Sequence, residues 1–323
     1  MNEITNYFGI DVSKEVFDVV DSFNIHYQFP NSIAGFKTFI KLLDSSSHCV
    51  MESTGYYHLL LANYLANNDI LISVVNPLAV KRFVQMHLSR IKTDKSDALM
   101  IRQYSEHTKL RLWEAQSANK SSSLQLVSLI DQYTKQSTSL KNKLKGEEAL
   151  GYPEKVVVSS LKRSLRSLQK EILALEERLL VLVKEDYQDL LTRIESITGL
   201  GRKTAVMLII MTDGFKKFDK ASQLCSFAGI TPIIRESGSS IRSRARISKM
   251  GNRKLRQLLF MCSFSAKKHN KACRDIFERI VAKGKSKKLA LIAVCNKLLK
   301  QAFAIAKSGL YYDNEYRSVL IKK

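Results

Sequence analysis

Leu161, Leu165, Leu168, Ile172, Leu175, Leu179 and Leu182 recur at alternating spacings of four and three residues. A seam with that period commits the surrounding chain to a long amphipathic helix, because a strand would scatter these side chains over both of its faces. Lys, Arg and Glu occupy the other helical faces, as in a coiled coil. A second amphipathic stretch, Leu124–Leu144, precedes the seam, and Gly146 to Pro153 between the two carries turn residues. The expectation is a helical hairpin over residues 116–190, either closed on itself or also pairing with a second chain or with nucleic acid.

Upstream of the hairpin the pattern changes in kind. Tyr7–Val12, Val16–Val20 and His26–Phe29 read as strands, and a helix follows from Ser32 to Leu43 with Ser32 as N-cap. Then come a strand at His48–Glu52, a helix at Tyr56–Ala66, a strand at Leu71–Val75, and helices at Leu78–His87 and Asp94–His107. Three strands with an antiparallel start, followed by alternating helix and strand, is the order of an RNase H-like α/β domain, here over residues 1–115. Other α/β domains share pieces of that order. Downstream, residues 191–323 are all-α in pattern. Leu191–Ile197, a Thr198-Gly199-Leu200-Gly201 turn and Arg202–Met211 give a helix-hairpin-helix-like element. Gly199 and Gly201 there either bring backbone amides to a phosphate or form a plain tight turn between packed helices. Helices near Ala221–Ala228, Gly251–Lys267, Arg274–Ala282 and Lys287–Ala306 complete the chain.

The charge is divided in the same way. Of 323 residues, 52 are Lys or Arg and 30 are Asp or Glu, a net charge of +22. Residues 1–115 hold 11 basic and 12 acidic side chains, so the whole cation surplus lies downstream. A neutral first third joined to a basic remainder suggests a catalytic body and a part that grips a polyanion, with nucleic acid ahead of a membrane surface. The five cysteines form no Cys-x-x-Cys pair, which excludes a disulfide framework or zinc site of ordinary spacing. The N-terminus lacks a basic region followed by an apolar stretch, and no apolar run reaches membrane-spanning length. A soluble protein of the bacterial or archaeal cytosol, associated with the nucleoid, is expected.

Asp11 closes the apolar strand Phe8-Gly9-Ile10, and Glu52 closes Cys49-Val50-Met51. A carboxylate ending such a run needs a cation or an edge position. Asp94 and Asp97 stand at i and i+3, on one face near a helix start, where acids also favour the helix dipole. Together the four can hold two divalent cations roughly 3.5–4 Å apart, as phosphoryl transfer requires. Their hard oxygens select Mg2+ or Mn2+ over zinc.

Residues 229–256 carry Arg235, Arg242, Arg244, Arg246, Lys249, Arg253, Lys254 and Arg256 against the single acid Glu236. Guanidinium forks match phosphate geometry. Ser237 precedes Gly238 in this segment. A phosphate-binding loop and a serine nucleophile both fit these residues, and no histidine lies nearby to act as base.

GIDVSKEVFDV, MESTGYY, NP-x-x-V-K-R-F, KTDKSDA, FAGITP, ESGSS and RISKMGNRKLR occur in that order. With them the chain resembles the DEDD-type insertion-sequence transposases, which include Piv-like DNA invertases and bridge-RNA-guided serine recombinases. The resemblance spans nearly the whole chain. It implies a RuvC-like N-terminal domain with Asp11, Glu52, Asp94 and Asp97 as its metal-binding acids, and a C-terminal transposase domain with Ser237 as nucleophile. The family often has Ser-Gly-Gly or Ser-Gly-Lys where this chain has Ser237-Gly238-Ser239-Ser240, which leaves Ser239 and Ser240 as alternatives. It further implies DNA strand exchange through a phosphoserine link, a site shared between subunits of a homo-oligomer (dimer or tetramer), and a non-coding bridge RNA that pairs with element ends and target. A Piv-like invertase without RNA, a RuvC-like nuclease and an inactive nucleic-acid-binding protein are the competing readings.

Overall fold

Strand and helix signals part company near residue 116, and the chain divides there into two units, Met1–Gln116 and Ser117–Lys323. The computed structural model describes residues 6–53, 55–87, 93–233, 236–237, 241–242 and 246–315.

The first unit is built on strands β1 (Asn6–Val12), β2 (Val16–Val20), β3 (His26–Pro30), β4 (Ser47–Glu52) and β5 (Leu71–Val75), in the order β3-β2-β1-β4-β5. Short turns make β1, β2 and β3 antiparallel neighbours. Helical crossovers place β4 and β5 parallel to β1. These crossovers are α1 (Ile33–Phe39), which runs on into a tight turn at Ile40–Leu42, and α2 (His58–Ala66). Helices α3 (Pro77–Met86) and α4 (Asp94–His107) follow β5. Ser32 caps α1 by accepting from the Gly35 amide. Asn76 caps α3 with Pro77 next to it, where a missing amide proton costs nothing.

Alternation along the strands gives the sheet two different faces. One carries Phe8, Ile10, Phe17, Cys49 and Met51, packed with Phe36, Phe39, Leu61 and Leu65 of α1 and α2. Phe17, Phe36 and Phe39 are fully buried there, each contributing about 1.5–3 kcal/mol by leaving water. The other face is thinner in apolar groups, with Val50 and Val75 against Val80 of α3 and Ile101 of α4. The acids expected to bind metal belong to this second face.

In the second unit, α5 (Ala118–Ala149) and α6 (Lys155–Glu195) form the hairpin. Of the seam residues, Leu161 through Leu175 are half-buried, while Leu179 and Leu182 are buried where the hairpin joins the core. Tyr187 (φ −141°, ψ 31°) kinks α6 into two helical segments, so the separate helix expected at Leu191–Ile197 is the second of them, which starts just after the kink and ends at Glu195. The Tyr187 hydroxyl donates to Asp213 at 3.1 Å, and Lys120 of α5 reaches the other oxygen of Asp213 at 2.7 Å. Both hairpin helices are thus pinned to one carboxylate.

Helices α7 (Arg202–Thr212), α8 (Ala221–Phe227), α9 (Arg253–His269), α10 (Lys271–Ala282) and α11 (Lys287–Ser308) complete the unit. The expectation that no apolar run reaches spanning length needs correction. The 22 residues of α11 are long and apolar enough to cross a membrane by length and composition. Ala290, Leu291, Val294, Cys295, Leu298, Leu299 and Ala302 of this helix are buried inside the unit. Its apolarity is therefore that of a core helix, and occasional lysines between the buried positions hid this from a scan of the sequence.

Candidate active site and serine segment

Asp11 is the next-to-last residue of β1 and sits on the face covered by α4. Its neighbour on that face, Gly9, explains the close cover. A Cβ on Gly9 would lie 2.2 Å from the Ala98 carbonyl oxygen and 2.4 Å from the Arg102 nitrogen, so only glycine lets α4 pack this tightly on β1. The first turn of α4 holds both Asp94 and Asp97. Capping at this end is done by Thr93 and Ser96, whose side chains each accept from the other's backbone amide at 3.1 and 2.8 Å. The capping hydrogen bonds thus come from Thr93 and Ser96, and the charges of Asp94 and Asp97 also favour the positive end of the helix.

Glu52 ends β4, one position beyond the last β1–β4 pair, Ile10 with Met51. The electrostatics report how the acids converge. Burial, followed by the negative charges of Asp97, Asp94, Glu52 and Asp18, pushes the Asp11 carboxyl up to about 6. All four expected acids therefore interact. Among the described residues, no three His, Cys, Asp or Glu side chains are close enough together to enclose an ion. The donor set itself, carboxylate oxygens alone, fits a hard divalent cation.

Asp18 was missed from the sequence, although an acid inside Val16-Phe17-Asp18-Val19-Val20 carries the same signal as Asp11. It is the cross-strand partner of Asp11 and is 3% exposed. His26 Nε2 lies 2.7 Å from its carboxylate, and the Gln28 amide donates to it at 3.2 Å.

In the second unit, Ser237 lies on a short hairpin. Strands β6 (Pro232–Ile233) and β9 (Arg246–Ile247) pair, and between them β7 (Glu236–Ser237) pairs with β8 (Ile241–Arg242). Ser237 pairs with Ile241 and Glu236 with Arg242. Arg235, Gly238, Ser239, Ser240 and Arg244 lie outside the described residues, as do the side chains of Ser237 and Arg242.

The remaining basic residues separate by environment. Arg246, Lys249 and Arg253 are exposed. Lys254 is engaged inside the unit, with its ammonium 2.9 Å from Asp131 of α5. Arg256 donates to the Ala228 carbonyl at 2.8 Å. Gly199 has φ +94° and approaches α9 so closely that a Cβ would sit 2.6 Å from the Ala266 Cα. Gly201 begins α7 as its N-cap, with open space where a Cβ would project.

Residues 8–147 match the DEDD transposase domain of the IS110 type, and residues 191–278 match the domain described as transposase of the IS116/IS110/IS902 family. The pilin gene-inverting protein of Moraxella bovis is 28% identical over 95% of this chain and 97% of its own length. The transposase for insertion sequence element IS1111A of Coxiella burnetii is 23% identical over 90% of this chain and 86% of its own. An IS110 protein of Streptomyces coelicolor is 29% identical over 49% of this chain and 38% of its own. The DEDD domain implies an RNase H-like fold for the first unit, in keeping with its sheet order. Such transposases use divalent metal ions and catalyse DNA cleavage and strand transfer. With a DEDD domain on its α/β unit and an IS116/IS110/IS902 domain on its helical unit, the chain belongs to the IS110-type DEDD transposase family.

Proposed function

We propose that the protein is the recombinase of an insertion sequence, cutting and rejoining DNA at the element's ends and at a target through a serine-linked intermediate. The observation that carries this reading is that Asp97, Asp94 and Glu52 act on Asp11 on one face of the sheet and, after its burial, help push its carboxyl up to about 6. In this reading Asp11, Glu52, Asp94 and Asp97 of a RuvC-like unit hold two Mg2+ or Mn2+ ions. When bound, these polarise the phosphate and neutralise the charge that builds on it.

Ser237 is the nucleophile. Attack of its hydroxyl oxygen on a backbone phosphorus forms a serine phosphodiester and breaks the bond to one sugar oxygen, which ends with the serine's proton. Attack by a different sugar hydroxyl then reverses the step on a new strand, returning the proton to Ser237. The bond energy is kept without ATP. Arg246, Lys249 and Arg253, with Arg235, Arg242 and Arg244, bind the DNA backbone. Gly199 and Gly201 bring the α7 turn to a further phosphate. A bridge RNA pairing with element end and target supplies the sequence choice, and a dimer or tetramer brings two DNA partners together.

Incubating the protein with Mg2+, element-end DNA and RNA transcribed from the flanking sequence tests the reading on a denaturing gel. A covalent protein–DNA adduct is expected that disappears in Ser237→Ala and in Asp11→Ala and persists in Ser239→Ala and Ser240→Ala. Cleavage without adduct would replace the serine by water as nucleophile and make the protein a RuvC-like nuclease. A second reading, a DNA invertase acting on fixed sites, draws on the likeness to the pilin gene-inverting protein, which runs nearly end to end. Adduct formation independent of the RNA would favour it.

A further inference from the structure

Beside the serine segment, β9, α10 and α11 enclose a groove of about 480 Å³. Its apolar lining includes Ile247, Ile276, Ile280 and Ile292, all half-buried. Four cations border it: Arg246, Arg279 and Lys300 are exposed, and Lys297 is half-buried. Among the described residues no acid lines it. Four like charges around one concavity repel one another, and a polyanion relieves that repulsion. A duplex meets the cations but leaves the isoleucines unused, because its bases are stacked inside. An unpaired strand uses both, with phosphates on the rim and base faces on the apolar lining. Asn296, also in the groove, carries the amide donor and acceptor that match a base edge. Arg246 pairs through β9 with Ile233 of β6, so the groove continues directly from the strands that frame Ser237.

From this we infer that the groove is a binding site for single-stranded DNA, holding unpaired nucleotides that flank the phosphate being cut. The inference rests on the recombinase reading for its choice of DNA.

The test uses the full chain and a labelled oligothymidine, offered single-stranded, as a duplex, and as an abasic strand of equal length. Arg279→Glu with Lys300→Glu, both exposed positions, is expected to weaken single-strand binding about tenfold or more. The slope of log affinity against log salt should fall by about 1.4 for two lost phosphate contacts. Lys162→Glu with Arg166→Glu, exposed positions on α6, reverses the same charge elsewhere and is expected to cost about twofold at most. Wild type should prefer the base-bearing strand to the abasic one about tenfold, and Asn296→Ala should shrink that preference without changing the salt slope. Equal losses on single strand and duplex, or no preference over the abasic strand, would overturn the proposal. So would tighter groove-dependent binding of oligouridine, which makes the occupant RNA. A change in sedimentation with oligonucleotide affinity intact would make it a second copy of the chain. The two readings fail separately. Loss of the serine–DNA adduct in wild type with these results intact removes only the recombinase reading, and an adduct without them removes only the groove.

Discussion

Asp18 stands directly across from Asp11 in the first antiparallel strand pair, buried and held by His26 and Gln28. The face proposed to bind metal therefore has a fifth carboxylate whose position is fixed by its own hydrogen bonds. It adds to the negative potential that Asp97, Asp94 and Glu52 place on Asp11. Asp18→Asn is expected to keep part of the hydrogen bonding and lose the charge. Titration of Asp11 by carboxyl NMR should then move down toward the ordinary aspartate value, and an unmoved titration would show that Asp18 is electrostatically silent.

Asp11 also makes stability depend on pH in a direction opposite to most acids. Its carboxyl titrates at about 6 in the folded chain against an ordinary 3.8, so between those values the native state binds more protons than the unfolded one. Stability from this group therefore falls as pH rises through that window. In chelator-treated protein, Asp11→Asn should melt higher than wild type near neutral pH, and the difference should close as pH falls toward 3.8. Added Mg2+ should raise the melting temperature of wild type and leave the variant little changed. A difference independent of pH would show that burial and the acidic neighbours do not raise the Asp11 carboxyl.

Gly9→Ala tests whether the close cover by α4 assembles the site. The new methyl group meets backbone atoms of Ala98 and Arg102 that cannot rotate away. A loss of about 1–3 kcal/mol is expected from overpacking, read from urea denaturation. Displacing α4 moves Asp94 and Asp97 relative to Asp11, so the melting shift on adding Mg2+ should shrink as well. Lost stability with a full Mg2+ shift would mean that the acids keep their arrangement without this contact.

Much of the first unit is legible in the sequence because its signals are local. Alternation marks the strands, the Leu71–Val75 strand and the Asp94–His107 helix fall where expected, and Ser32 is a cap in fact. Asp18 carries the same local signal as Asp11, an acid inside an apolar strand, but nothing local says which residue it faces. Its importance comes from register, which pairs it with a residue seven positions away. The groove escaped for a similar reason, since Arg246, Arg279 and Lys300 come from separate elements. The start of the helix that carries Leu191 was placed too late because the kink at Tyr187 comes without proline or glycine to announce it. Its cause is tertiary, the bond to Asp213.

The two glycines of the α6–α7 turn should behave differently. Gly199 combines positive φ with close contact to Ala266, so Gly199→Ala is expected to cost about 1–3 kcal/mol in stability. Gly201 has ordinary φ and open space, and Gly201→Ala should cost less, about 0.5–1 kcal/mol, the usual disadvantage of alanine against glycine at an N-cap. Thermal or urea melts of the two variants separate packing from binding. If Gly199→Ala leaves stability untouched and weakens only DNA binding, the turn is a phosphate grip and its contact with α9 is incidental.

Arg253 and Lys254 are adjacent in sequence and should report different things. Arg253 is exposed at the start of α9, where one phosphate contact is expected. Arg253→Ala should lower the slope of log affinity for duplex DNA against log salt by about 0.9 and leave the melting temperature alone. Lys254 is only 23% exposed in its side chain and is paired with Asp131, joining α9 to the hairpin. Its removal should cost stability, by about 0.2–1 kcal/mol for a pair this accessible, with little change in salt slope. A double-mutant cycle of Lys254→Met with Asp131→Asn measures the coupling directly. A coupling near zero together with a reduced salt slope in Lys254→Met would show that the ammonium leaves Asp131 for DNA, and would put Lys254 among the phosphate contacts after all.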